Sequence, residues 1–209
     1  MNRLILIRHA QSEHHVQGLT GGWTDTPLTP FGHVQARALA ARCRELFSET
    51  PALPIYSSDL QRAAQTAGHI AAALGTEVRL DAGLRETNNG IAAGMTWEEA
   101  KKIELPRTEP NFDWVPHPEA ESWTMFTVRV EAALERISDA GPAAAIIVTH
   151  GGTSGVVIPW WFRLDMRSRP GISFEMQPAS ISELTTNGQH ERALIKMNDT
   201  GHLDGLVHG

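Results

Sequence analysis

Leu4-Ile5-Leu6-Ile7-Arg8-His9-Ala10 places four aliphatic residues directly before a cation and an imidazole. A continuous apolar run, unlike an alternating one, reads as a strand covered on both faces, as in a parallel sheet. Open α/β sheets collect ligands beyond the carboxyl ends of their strands. Arg8 and His9 therefore belong to a site and not to the core. A second apolar run, Ala143 to Val148, ends the same way in Thr149-His150-Gly151-Gly152. In one parallel sheet both histidines emerge at the same edge, and the two strands are candidate neighbours. Gly151 and Gly152 permit close backbone approach, and the helix after them can aim free N–H groups at an anion.

The elements between these strands follow from local signals. Thr29-Pro30 is a helix start, a capping hydroxyl followed by proline at the first helical position. Apolar residues at helical spacing, among them Val34, Ala38, Ala41 and Leu46, carry that helix to about Phe47. Pro51 and Pro54 punctuate its exit, and Leu53 to Ser57 reads as a second strand. Ser58 is expected to cap a helix from Asp59 to Leu74 that stops at Gly75. Arg62 lies one turn into it, a cation entered directly from the second strand. Glu77 to Leu80 reads as a third strand, and Thr96-Trp97-Glu98-Glu99 as a capping box. Ser122 caps an amphipathic helix through Ile137, with Phe126, Val130, Ala133, Leu134 and Ile137 on one face. Ser180 to Leu184, the turn Asn187-Gly188 and Ala193 to Met197 read as a β-hairpin.

Composition narrows the function classes. The 209 residues carry a formal net charge of −6, which argues against a general nucleic-acid binder but leaves room for one cationic phosphate pocket. A single cysteine, Cys43, excludes an intrachain disulfide framework and any cysteine-based metal cluster, and reads as a plain structural residue in its helix. No apolar run reaches the length of a membrane span, and a cytoplasmic location is expected. Ten histidines invite a metal reading, yet there is no His-Glu-x-x-His, and adjacent His14-His15 in a loop read as rim residues of the pocket. No metal and no cofactor is expected.

Taken together, these stretches resemble the histidine phosphatase, or phosphoglycerate mutase-like, superfamily. Arg8-His9-Ala10-Gln11-Ser12 is similar to its Arg-His-Gly signature, with Ala10 where the family has glycine. Asp25 to Gly32 with Gln35-Ala36 resembles the loop into its first helix, and Ser57 to Ala67 its second signature. Leu84-Arg85-Glu86 with Gly90 and Gly94 resembles the acid-bearing segment, Thr149 to Gly152 the second-histidine motif, and Asn198 to Leu203 the tail of the phosphatase branch. The resemblance implies an α/β fold: three α/β/α layers, a mostly parallel central sheet with helices on both faces, and the hairpin near the C-terminus. It spans one domain over residues 1–209, with a lid-like insertion at about 87–121. It further implies that His9 is the nucleophile and Glu86 the proton donor and acceptor. Arg8, Arg62 and His150 would clamp the phosphoryl group, with Gly151, His15, Gly21 and Gly22 also binding substrate. For Ala10 to be harmless its φ has to be negative, with His9 still aimed at Arg62 and His150.

Departures from the family pattern separate its branches. Sugar-phosphate mutases of the family have Asn where His15 stands, Tyr where Asn89 stands, paired arginines in the segment Leu105 to Pro110, and Asn where Gly152 stands. Those groups hold the second anionic end of a substrate. Here that end would meet Phe112, Asp113, Trp114, Glu119 and Glu121. Hydrolysis of a small-molecule phosphomonoester is therefore expected ahead of mutase activity, and a non-catalytic phosphate-binding module is the third reading. Residues 103–121 lack periodicity and hold four prolines, so they read as the lid; Phe112 and Trp114 either stack on the leaving group or staple the loop down. Trp160-Trp161-Phe162 reads as core, with a homodimer contact left open.

Overall fold

The computed structural model describes residues 1–50, 53–164 and 172–206, so the turn expected at Pro51 lies outside them. Its centre is β1 (Arg3–Arg8), paired in parallel with β4 (Ala144–Thr149) and antiparallel with β5 (Ile181–Thr186). β2 (Ile55–Ser57) extends the sheet beyond β4, β3 (Val78–Leu80) forms one edge, and β6 (Arg192–Asp199) the other. The order β3-β2-β4-β1-β5-β6 gives one six-stranded sheet, parallel except for the C-terminal hairpin.

Alternation along β1 divides the core in two. Ile5 and Ile7 face α2 (Pro30–Phe47) and α3 (Gln61–Leu74). Leu4 and Leu6 face α5 (Trp123–Asp139) and α6 (Gly151–Phe162). All four are fully buried. At about 1.5–3 kcal/mol for each aliphatic side chain removed from water, that strand is a large share of the stability of both layers. Trp161 is buried in the second core and Trp160 donates from Nε1 to Glu135 at 2.6 Å, so the aromatic cluster packs inward. Cys43 is buried in the first core, and burial pushes its thiol up to about 12, consistent with a structural residue. Among the described residues no helix is long and apolar enough to cross a membrane.

Several local expectations need correction. The polar stretch after β1 contains a short helix, α1 (Glu13–Gln17), closed by Gly18 in the left-handed region; its five residues are too few to show a period. α2 starts as expected, Thr29 Oγ1 accepting from Gly32 N at 2.8 Å. Its buried face, however, is Ala36, Leu39, Ala40, Cys43 and Phe47, while Leu46 is 37% exposed. Alanines on both sides of this helix blur the apolar stripe, and the small residues on the true face let α2 and α3 pack closely. α3 begins at Gln61 and not Asp59, because Ser58 is drawn into the site. β3 is limited to Val78–Leu80. The hairpin strands close through residues 187–191, where Asn187 Oδ1 accepts from Gln189 N and Glu191 N, both at 2.9 Å, so Asn187-Gly188 is not a two-residue turn.

The lid-like stretch holds α4 (Trp97–Lys102), whose Thr96–Glu99 capping box is present. Beyond it the chain is tied to itself: Leu105 N donates to Pro116 O at 2.8 Å and Trp114 Nε1 to Leu105 O at 3.1 Å. Arg107 covers the Trp114 ring, and Thr124 Oγ1 donates to Phe112 O. Of the two roles open to these aromatic residues, the ring of Trp114 takes the staple, while Phe112 ties the loop through its backbone carbonyl.

The reassigned face of α2 predicts opposite outcomes for two similar substitutions. Leu39→Ala should cost about 2–5 kcal/mol in urea unfolding, whereas Leu46→Ala should stay within about 0.5 kcal/mol. Equal losses would return Leu46 to the core.

Candidate active site

The register of β1 on β4 builds the site. Arg8 lies opposite Thr149, and His9 N donates to Thr149 O at 2.9 Å, so His9 and His150 leave the sheet side by side. Their ring centroids are 5.0 Å apart, edge to face. β2 ends level with them, Ser58 N donating to Val148 O.

His9 is 2% exposed, and its Nδ1 lies 2.7 Å from Ala10 O. A carbonyl only accepts, so Nδ1 carries the proton and Nε2 presents its lone pair. Arg62 Nε donates to that nitrogen at 3.2 Å. Burial first, then the charge of Arg62, holds the His9 pKa well below its usual value. Ala10 is fully buried and is not among the residues with positive φ, so it meets the condition set by the sequence. Its N–H donates to Thr66 Oγ1, which donates to Arg62 O.

Arg62 is only 1% exposed, against the expectation for an arginine early in a helix. NH1 donates to Thr24 O and NH2 to Gly22 O, each at 2.7 Å, so one guanidinium braces the 22–24 loop and faces His9. Burial lowers its pKa to about 10, which leaves it cationic at neutral pH. Arg8 donates from NH1 to Met176 O, and its buried Nε has no partner among the described residues.

Glu86 is aimed by backbone. Oε1 accepts from Thr87 N at 2.9 Å and Oε2 from Gly152 N at 2.8 Å, in the first turn of α6. A Cβ at residue 152 would stand 2.3 Å from Oε1, so the position of Glu86 requires glycine there. The Glu86 carbonyl also accepts from Trp23 Nε1 and Arg129 NH2.

The remaining imidazoles surround His9. His15 lies at the rim as expected, stacked at 5.5 Å from His9, with Nδ1 accepting from Ser12 N. His14 lines the same pocket but is buried within it, and its Nδ1 meets Ser12 Oγ at 2.9 Å and Thr26 Oγ1 at 3.2 Å. Burial, followed by neighbouring positive charge, lowers His14 to about 3 and His15 to about 4. His150 is 1% exposed, in contact with Ser58 Oγ at 2.8 Å, and its pKa is lowered well below normal, mainly by burial.

A cavity of about 450 Å³ lies over these groups. Its walls include Arg8, His9, His15, Arg62 and Glu86, together with Gly21, Gly22, Gly151 and Gly152. His150 does not line this cavity; its ring lies edge to face with His9, and its buried Nδ1 is unpartnered among the described residues. Phe112, Asp113, Trp114, Glu119 and Glu121 do not line it either, and Glu121 is paired with Arg129 at 2.7 Å. Sequence reasoning missed Gly18, Leu19, Thr87 and Trp97 as lining residues. For Trp97 a signal existed: an indole opening a short segment of mostly charged residues has no apolar face to join, and in the structure it is 67% exposed. An adjoining cavity of about 390 Å³ shares Arg8, Glu86, Gly151 and Gly152 and adds Trp123 and Phe174. No cluster of three or more metal-ligating side chains occurs among the described residues.

Four imidazoles with lowered pKa values predict a definite acid response. Below the unfolded histidine pKa of about 6.5 the unfolded chain binds protons that the native pocket refuses, so stability falls as pH falls. Each refused proton contributes at most about 1.4 kcal/mol per pH unit. For His14 and His15 the loss should run from about 6.5 down to their folded values of about 3 and 4. Nitrogen NMR should show His9 neutral with the proton on Nδ1 at pH 6; an imidazolium signal there would contradict the assigned tautomer.

Comparison with known proteins agrees with this geometry. The model of the histidine phosphatase superfamily, branch 1, matches residues 4–200. A Hydrogenobacter thermophilus protein named "Putative phosphoserine phosphatase 2" is 35% identical over 210 residues, covering 99% of this chain and all of that one. The Escherichia coli "Probable phosphoglycerate mutase GpmB" is 31% identical, over 81% of each chain. A mycobacterial glucosyl-3-phosphoglycerate phosphatase solved with vanadate superposes with a TM-score of 0.79 at 26% identity, over 96% of this chain and 100% of its own. With its signature residues gathered at one sheet edge and a family match running almost from end to end, the chain belongs to branch 1 of the histidine phosphatase superfamily.

Proposed function

We propose that this chain hydrolyses a small-molecule phosphomonoester through a covalent phosphohistidine at His9, without a metal ion. The observation that carries this reading is the state of His9: its proton sits on Nδ1 against Ala10 O, and its Nε2 lone pair meets a cationic donor. The names of two relatives point to phosphatase chemistry as well.

The chemistry proceeds in two displacements. Nε2 attacks phosphorus, and the electrons of the breaking P–O bond move to the leaving oxygen, which Glu86 protonates. The positive charge gained by the ring is shared along Nδ1–H to the Ala10 carbonyl. As Nε2 becomes bonded to phosphorus, Arg62 Nε–H loses its acceptor and is free to turn to a phosphoryl oxygen. Arg8 supplies the second cation, and each charge-assisted bond is worth about 1.5–3 kcal/mol, more where charge grows in the transition state. Water then attacks phosphorus, Glu86 takes its proton, and the N–P electrons return to Nε2. Gly21, Gly22, Gly151 and His15 complete the pocket wall, while His150, edge to face with His9 and held by Ser58 at Nε2, keeps its Nδ1, unpartnered among the described residues, for the phosphoryl group. A cavity of about 450 Å³ suits a small metabolite, with Trp97 at its mouth. Neither a nucleic acid nor a membrane is a partner in this reading.

Hydrolysis is favoured over intramolecular phosphoryl transfer by what stands at the anchor positions. Asn89 spends its amide on Trp23 N, Thr20 Oγ1 and Gly21 O, and Arg107 lies over Trp114. Neither is offered to a second anionic group.

In excess chelator the protein should release inorganic phosphate from p-nitrophenyl phosphate, and His9→Ala should abolish release. A base-stable, acid-labile phosphoenzyme should accumulate on rapid quenching. Glu86→Gln should slow alkyl phosphates by about 10²–10⁴-fold and p-nitrophenyl phosphate much less, since nitrophenolate needs no proton to leave. Phosphate migration without release would instead establish a mutase, and stoichiometric binding with neither product would leave a binding module.

A further inference from the structure

The stretch Asn198 to Leu203 is singled out by sequence yet touches no part of the pocket. We propose that His202 and Asn198 form a clasp that holds the active-site pair Arg8-His9 in register, with His202 as a positioning residue; this rests on the phosphatase reading above. The path is continuous and made of hydrogen bonds. His202 Nε2 lies 3.0 Å from Ala179 O, which as a carbonyl only accepts, so Nε2 carries the proton and donates. Ala179 is fully buried, and its N–H is shared between Arg8 O and His9 O, each at 3.1 Å. Three residues earlier, Met176 O takes the Arg8 guanidinium through NH1. Asn198 grips the same turn from its other end: Oδ1 accepts from Gln177 N at 2.7 Å, while its own N–H donates to Ser182 Oγ at 2.9 Å. Residues 176–180 thus hold Arg8 by its head and both Arg8 and His9 by their backbone, and are themselves held by Asn198 and His202.

Backbone conformation adds to this. Ala179 has φ of 60°, a left-handed value uncommon for a non-glycine residue, and it sits where His202, Arg8 and His9 meet; Asn198, with φ of 55°, is of a residue type that takes this region readily. The other ring nitrogen of His202, Nδ1, is buried without a partner among the described residues, so the ring makes its hydrogen bond there to Ala179 O. A C-terminal turn that served only to cover the core would need no donor directed at Ala179. The Arg8 carbonyl, the His9 carbonyl and the Arg8 guanidinium converge on five residues, so a shift of that turn moves the nucleophile and the cation together. A displacement of that kind costs transition-state binding more than ground-state binding, because only the former depends on the in-line relation between nucleophile and oxyanion clamps.

The test compares wild type with His202→Ala, His202→Gln and Asn198→Ala, using p-nitrophenyl phosphate turnover and inhibition by orthovanadate and by inorganic phosphate. The expected result for His202→Ala is a fall in kcat of about tenfold or more, with vanadate affinity weakened in parallel, phosphate affinity within about threefold of wild type and KM little changed. His202→Gln, which keeps an N–H donor, should recover most of the kcat, and Asn198→Ala should reproduce the vanadate-specific loss. If His202→Ala does not fold, the Gln and Asn198 variants decide by the same vanadate-to-phosphate ratio. Unchanged turnover, or equal weakening toward vanadate and phosphate, overturns the clasp. Absence of turnover in the wild type overturns the phosphatase reading, and the clasp with it, so the two failures are told apart by the wild-type arm.

Discussion

A buried guanidinium facing a buried imidazole is the interaction on which the rest of the site depends. Removing the Arg62 cation from water is costly, and the structure offsets that cost with two loop carbonyls at 2.7 Å and the lone pair of His9 at 3.2 Å. The arrangement works only if His9 is neutral and bears its proton at Nδ1. Burial, with the Arg62 charge next, enforces the first condition, and Ala10 O enforces the second by accepting. Arg62 and Ala10 O together therefore set the protonation state, the tautomer and the direction of the candidate nucleophile.

Sheet register supplies the complementary constraint. β1, β2 and β4 end at one level because their ladders are parallel and in step: Ile5 and Ile55 both pair with Ile146. That alignment delivers His9, Ser58 and His150 to one edge without any loop having to reach. Ser58 shows the consequence. Its hydroxyl meets His150 Nε2 at 2.8 Å and also accepts from Leu60 N at 3.3 Å, so a residue shaped like a helix cap is shared with the site, and α3 starts two residues late.

How much of this was legible in the sequence follows from what each signal depends on. The strand ends, the burial stripe of α5 and the Thr29 and Thr96 caps depend on neighbours within a few residues, and they were readable. The face of α2 was not, because small residues lie on both sides of that helix and its orientation is settled by close contact with α3. Burial of Arg62, His14 and His150 depends on long-range packing that no local pattern encodes. The staple role of Trp114 is likewise decided by where Leu105 and Arg107 arrive.

The departures from the mutase pattern gain a physical meaning in the folded chain. At residue 152 the absence of a side chain is required by the carboxylate of Glu86, since the same backbone N–H that asparagine would also offer is already aimed at Oε2. At residue 89 the amide spans Trp23, Thr20 and Gly21, and so holds the loop whose carbonyls at 22 and 24 fix Arg62. Both positions therefore serve the reacting centre from within the protein. A chain that commits these residues to orienting its own acid and its own arginine has fewer groups left to grip the far end of a substrate. On the proposed phosphatase reading, such a site holds the phosphoryl group firmly and the leaving group loosely, which is the balance that would let a product alcohol depart and water take its place.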